Sequence, residues 1–101
     1  MAVKVLKWEA VIGKVIHIPV HDEEKICLVG RQPGQLFADQ YCIWMTDHLV
    51  DDTKRHETKW DRQFIALGTG EFTPENYEWV YSWQDGYNAW HLYEYKPEAQ
   101  S

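Results

Sequence analysis

The sequence predicts a mainly β domain: about seven short antiparallel strands in a curled sheet, a small sandwich or an open barrel, with at most one short helix. Three observations carry this. Apolar and polar residues alternate along several runs, the period of a strand with one buried face. Turn signals built on Gly and Pro separate those runs at short intervals. Aromatic residues make up 15% of the chain, with six Trp and six Tyr, residue types that suit a pleated surface.

The elements follow in order. From Val3 to Ile12, Leu6, Trp8, Ala10 and Ile12 share one face. After Gly13-Lys14, Ile16, Ile18 and Val20 share another. Two alternating runs around a Gly read as a hairpin. Pro19 cannot donate to a ladder, so the second strand is an edge or ends there. His21-Asp22-Glu23-Glu24 is a polar connection. The continuous apolar run Ile26-Cys27-Leu28-Val29 indicates a strand buried on both faces. Gln32-Pro33-Gly34-Gln35 fits a type II turn. Tyr41 to Met45 is apolar again and pairs with the previous strand, the two forming the centre of the sheet. A turn over Pro33 to Leu36 sets Cys27 opposite Cys42, whereas a tighter one on Pro33-Gly34 sets Gln40 there. Both cysteines are expected as free, buried thiols.

Asp47 to Arg62 is charged and aperiodic, a loop with room for one helical turn. It is longer than idle connections usually are, which suggests mobility or a binding role. Gln63 to Leu67 is a strand ending at Gly68-Thr69-Gly70. Phe72 to Asn76 is a turn, or a Thr-capped helical turn with Pro at its first position. From Tyr77 to Trp83 alternation is strict, with Trp79, Tyr81 and Trp83 on one face. Asp85-Gly86 is a strong hairpin signal. A two-residue turn there pairs Tyr81 with Trp90, Trp79 with Leu92 and Val80 with His91. Trp90 to Tyr95 closes the hairpin.

At 101 residues the chain holds one domain, expected over 1–96, with 97–101 a frayed polar tail. No apolar run approaches the roughly 20 residues of a membrane helix. Met1 to Val11 lacks the apolar core of a signal peptide, so an intracellular protein is expected. The net charge is −6, and from Glu71 onward six acids face the single base Lys96. A duplex-DNA binder shows a basic stripe, and none is present.

Chemistry-bearing constellations are few. His17 and His21 are four apart on a strand, where that spacing does not converge, and no C-x-x-C occurs, so no metal and no cofactor are expected. Cys27 and Cys42 lie in apolar strands, where thiols are inert, and no catalytic group is assigned. Gly68-Thr69-Gly70 either lets a phosphate or base approach the backbone or bends the chain at a sheet corner. Five of the six tryptophans, Trp8, Trp44, Trp79, Trp83 and Trp90, exceed what so small a core holds, so some form a surface patch.

Several motifs stand together: Trp8, Ile-x-Ile-Pro at Ile16 to Pro19, Lys25-Ile26 leading to Gln32, Cys42-Ile43-Trp44, Phe64 running into Gly68-Thr69-Gly70, and Trp90-His91-Leu92-Tyr93-Glu94. In this order they resemble a group of small uncharacterised proteins, a domain of unknown function seen mostly in tailed phages and prophages. The resemblance covers nearly the whole chain. The sequence departs in longer Met45-to-Phe64 and Gln32-to-Cys42 connections, and in Glu71, where the group has a His. The resemblance implies phage origin, a compact β fold and residence in the cytoplasm of an infected bacterium. It implies no activity.

Three functional expectations follow. The first is a counter-defence protein that binds and blocks a host protein, such as a nucleic-acid-binding defence complex, because carboxylates can occupy sites meant for phosphates. Its interface residues are Glu75, Glu78, Trp79, Trp83, Asp85 and Tyr87. The second is a sponge for a small nucleotide signal, using Gly68, Thr69, Gly70, Trp44, Trp90 and His91, with Arg31 and Arg62 on phosphate. The third is a minor virion or assembly component. A homodimer is expected under the first two.

Overall fold

The computed structural model describes residues 4–20, 24–35, 37–47 and 60–97. His21, His48, His56 and most of the charged connection before β5 lie outside them. Seven strands form in the expected order: β1 (Lys4–Val11), β2 (Ile16–Val20), β3 (Ile26–Gly30), β4 (Gln40–Asp47), β5 (Trp60–Gly68), β6 (Tyr77–Asp85) and β7 (Asn88–Tyr95). All pairings are antiparallel. They build two sheets, ordered β1-β4-β3 and β2-β5-β7-β6, packed as a sandwich. No helix occurs among the described residues, so the turn reading holds for Phe72 to Asn76. There the Tyr77 N–H donates to the Pro74 carbonyl, with Asn76 at φ +70°.

The inner faces follow the alternation. Ala10, Tyr41, Ile43, Met45 and Val29 from the first sheet meet Ile18, Val20, Phe64, Ala66 and Leu92 from the second. Burial of these side chains is the main driving force for bringing the sheets together. Trp8, Ile12, Ile16 and Ile26 pack around this core. The strand carrying Pro19 is an edge, as its missing N–H requires.

The first hairpin does not form. β1 and β2 lie in different sheets, paired with β4 and β5. Gly13, at φ +83°, turns the chain across the sandwich. The crossing is held from both sides: the Ile12 N–H donates to the Asp39 carbonyl and the Gly13 N–H to that of Ala66, each at 2.8 Å. Both strands have a buried inner face, and only opposed sheets let those faces meet.

The central pair is corrected in part. β4 is central and buried, but β3 is an edge, with Leu28 and Cys27 exposed. An apolar run alone does not separate a central strand from an edge whose outer face is wet. Neither cysteine register occurs. Cys42 lies opposite Gly30, and Cys27 falls where the β3–β4 register shifts. The reason is a longer connection: the type II turn forms, with Gly34 at φ +96° and the Gln35 N–H donating to the Gln32 carbonyl, but further residues follow before β4. Both thiols are free, Cys42 buried and Cys27 exposed, so the expected burial of Cys27 is overturned.

Candidate functional site

The β6–β7 hairpin turns one residue later than its Asp85-Gly86 signal suggests. Asp85 pairs with Asn88, which leaves Gly86-Tyr87 as the two-residue loop. Gly86, at φ +63°, takes the first central position, where a type II′ turn requires Gly. Register therefore moves: Trp83 pairs with Trp90, Ser82 with His91 and Tyr81 with Leu92. A shift between Trp79 and Tyr81 then makes Val80 an extra residue. Such a bulge reverses the phase of alternation. Val80, Tyr81 and Trp83 pack on the core, whereas Trp79 pairs with Tyr93 and is 61% exposed. The expected common face of Trp79, Tyr81 and Trp83 is thus split.

Across β5, β7 and β6 the outer face of the second sheet carries three rows. They are Ile65, Tyr93 and Trp79; Leu67, His91 and Ser82; and Tyr95 with Tyr77. Exposure grows toward the β6 edge, from Ile65 at 8% to Trp79. The Tyr77 and Tyr95 rings sit 5.4 Å apart. Burial, reinforced by Tyr95, raises the Tyr77 hydroxyl above its ordinary pKa. None of these rows contains an Asp, Glu, Lys or Arg.

A hydrogen-bond chain runs over this face. Trp79 Nε1 donates to Ser82 Oγ at 2.7 Å, and Ser82 Oγ lies 2.7 Å from His91 Nδ1. His91 Nε2 lies 2.8 Å from Thr69 Oγ1, which reaches the Ala89 carbonyl at 3.5 Å. One proton assignment satisfies every group in series. In it the indole N–H donates to Ser82, the Ser82 hydroxyl donates to Nδ1, and Nε2–H donates to Thr69. The chain ties the exposed indole, through Ser82 and His91, to Thr69.

The Gly68-Thr69-Gly70 loop is a turn, with the Glu71 N–H donating to the Gly68 carbonyl and Gly70 at φ +93°. The Gly68 N–H donates to the Glu71 carboxylate. A Cβ on Gly68 would stand 3.0 Å from that carboxylate and 3.3 Å from the Trp90 ring. This glycine therefore makes room for Trp90, and its N–H is already committed to an anion.

The residues assigned to nucleotide binding do not converge. Trp90 and His91 are consecutive on β7 and point to opposite faces, as alternation demands. Trp44 sits on β4, in the other sheet. The Arg62 guanidinium is held bidentately by Glu94, at 2.6 and 2.8 Å, and donates to the Glu24 carbonyl at 2.6 Å. It also lies over the Phe64 ring. Arg31 donates to the Gln35 carbonyl at 3.0 Å and faces Asp85 at 4.0 Å. Gly68, Thr69, Gly70 and His91 remain neighbours, with Trp90 against Gly68 on the face opposite His91.

The interface residues divide as well. Glu75, Glu78, Trp79 and Tyr87 are exposed. Trp83 is half-buried against Tyr41, ring centroids 5.2 Å apart. Asp85 is half-buried near Arg31. Sequence reasoning missed Ser82, Tyr77, Tyr93 and Tyr95. With the turn on Gly86-Tyr87, Ser82 falls opposite His91, the one signal that exposes the pairing.

Fold and surface define a small two-sheet β protein with an aromatic outer face and an acidic edge. The chain belongs to the family described as "Domain of unknown function (DUF7352)", whose sequence model matches residues 1–101. No curated protein and no solved structure matches it.

Proposed function

We propose that this chain is a phage-encoded binding protein that blocks a host protein by stoichiometric association, in the cytoplasm of the infected bacterium and as a homodimer. The carrying observation is Trp79, 61% exposed and fixed by Ser82. It sits in a stretch, 71–95, that holds five acids and no Lys or Arg. An exposed, hydrogen-bonded aromatic within an acidic stretch suits an interface that meets a basic partner. A defence complex with a nucleic-acid groove offers such a surface.

The sponge reading has less support. It asks Gly68 and Arg62 to bind phosphate, and both are engaged by the carboxylates of Glu71 and Glu94. Native mass spectrometry of the tagged protein, purified gently from host lysate, tests both. The blocking reading expects a stoichiometric host protein that is lost on raising salt and absent from a Glu75→Lys/Glu78→Lys variant. A retained mass of a few hundred daltons, released on denaturation, overturns it in favour of the sponge. The same spectrum reports whether the chain is a dimer.

A further inference from the structure

We infer that the hollow between the β3–β4 turn and the outer face of the first sheet binds a free α-amino acid. Its carboxylate is met by Lys7 and the N–H groups of three glutamines, its ammonium by Glu9. The site is on the other sheet from Trp79 and stands apart from the blocking reading. Three observations lead to it.

First, the place is built. Lys7 and Glu9 of β1, Gln40 of β4 and the turn 32–35 line an open hollow of about 290 Å3. Lys7 and Glu9 are two apart on a strand and so share one face. The turn is tied back onto them, Lys7 Nζ donating to Gln32 Oε1 at 2.6 Å. Drug-sized ligands occupy sites of roughly 300–1,000 Å3, so this one suits a smaller molecule.

Second, the three carboxamides are all fixed in the same sense. Each Oε1 accepts from a group that can only donate. For Gln32 it is the Lys7 ammonium, for Gln35 the Gln32 backbone N–H at 2.9 Å, for Gln40 the Phe37 backbone N–H at 3.1 Å. Flipping any of the amides would set donor against donor. Their NH2 groups are left over, with no acceptor among the described residues, and Gln35 Nε2 is buried in that state. A buried donor without an acceptor is costly, and a ligand that supplies the acceptor removes the cost. The hollow thus offers donors already held in orientation, which favours an acceptor-rich ligand. A carboxylate also answers the charge of Lys7.

Third, Glu9 sets an anion beside this donor group. It is exposed and has no ion pair among the described residues. A simple anion gains from Lys7 and is repelled by Glu9, and a simple cation meets the reverse. A small zwitterion satisfies both at once. A phosphate monoester brings nothing for Glu9 to hold.

The test titrates the full chain with each of the twenty standard amino acids by ligand-observed NMR. At least one should bind with a Kd below about 1 mM. That amino acid is then compared with its N-acetyl and carboxamide derivatives, each lacking one of the two charges. Both should bind about tenfold or more weakly, the factor for losing a hydrogen bond to a charged group. Glu9→Gln should bring the amino acid down to the level of its N-acetyl derivative, and Lys7→Gln to that of its carboxamide. Such a crossed pattern does not arise from unfolding, which abolishes all three. In a nitrogen–proton correlation spectrum the side-chain amide signals of Gln32, Gln35 and Gln40 should move on binding, and the Trp79 indole signal should not. No amino acid bound, derivatives that bind as well as the parent, or a ligand that moves Trp79 and leaves the glutamines overturns the inference. Failure to capture a host protein bears only on the blocking reading.

Discussion

Tyr41 is the residue whose environment is least comfortable. It is 1% exposed, its ring packs on Trp83, and its hydroxyl has no hydrogen-bond partner among the described residues. A buried unpaired hydroxyl costs about 1–3 kcal/mol. Tyr41→Phe should therefore leave stability unchanged or raise it by about 1 kcal/mol; chemical denaturation showing a loss would mean that the hydroxyl is satisfied. Burial also pushes the phenol well above its ordinary pKa of 10.0. The sign is that of a group whose folded pKa is raised. Its contribution is complete below about pH 10 and is lost as pH climbs beyond that. Melts recorded toward high pH should show an alkaline decline that Tyr41→Phe lessens. The two thiols differ in the same physical sense. Burial raises the Cys42 thiol and keeps it protonated, with Glu9 adding to the effect and Lys7 opposing it. Cys27 is exposed. A thiol reagent should label Cys27 rapidly, and Cys42 only on unfolding. Two rapid equivalents would show that Cys42 is reachable in the native state.

At the scale of elements, two local features decide what the surface presents. The Val80 bulge sends Trp79 outward while Val80 and Tyr81 face the core. Deleting Val80 should restore a regular ladder and keep the Trp79–Tyr93 pair, at about 1 kcal/mol for the lost half-buried side chain. A collapse of the fold would show that the bulge is needed for sheet curvature instead. Gly68 is the second feature. A methyl there meets the Trp90 ring and the Glu71 carboxylate. Gly68→Ala should cost about 1–3 kcal/mol, the range for overpacking, and blue-shift no fluorescence if Trp90 simply moves outward. These features also explain what the sequence made legible. All seven strands were readable from alternation or from short apolar runs, most of them bounded by turn residues. The outer face was not, because a one-residue choice of turn changes every cross-strand partner and a one-residue bulge inverts every side chain beyond it. Strict alternation from Tyr77 to Trp83 gave no hint that Val80 would be extra. Even so, the separation of Trp90 from His91 was legible, since neighbours on a strand face apart.

At the scale of the whole molecule, Arg62 joins the two layers. Its guanidinium is held by Glu94 on β7 and reaches the Glu24 carbonyl just before β3, in the other sheet. Side-chain exposures are 19% for Arg62 and 5% for Glu94. Glu94→Ala strands a largely buried cation, and breaking such a pair costs about 3 kcal/mol or more. At about 4–8 °C per kcal/mol for a domain of this size, Tm should fall by more than about 10 °C. A smaller drop would mean that solvent or the Glu24 carbonyl carries the charge. The two-layer architecture was only partly legible from residue patterns. A sandwich stood among the expected forms, but the pairing of β1 with β4 and of β2 with β5 depends on contacts between distant segments that no local signal encodes.

The crossing at Gly13 has a consequence for the order in which the protein can be made. The first two strands cannot pair with each other, and their partners begin only at Gln40 and Trp60. While the chain emerges from the ribosome at about 5–20 residues per second, β2 stays a strand without a neighbour until more than half of the polypeptide exists. Its inner residues Ile16, Ile18 and Val20 lack their β5 partners throughout that interval. Pro19, which blocks one position of the ladder, stands where a nascent strand would otherwise pair with a copy of itself. The proline that marks an edge in the finished sheet thus also guards the unfinished one.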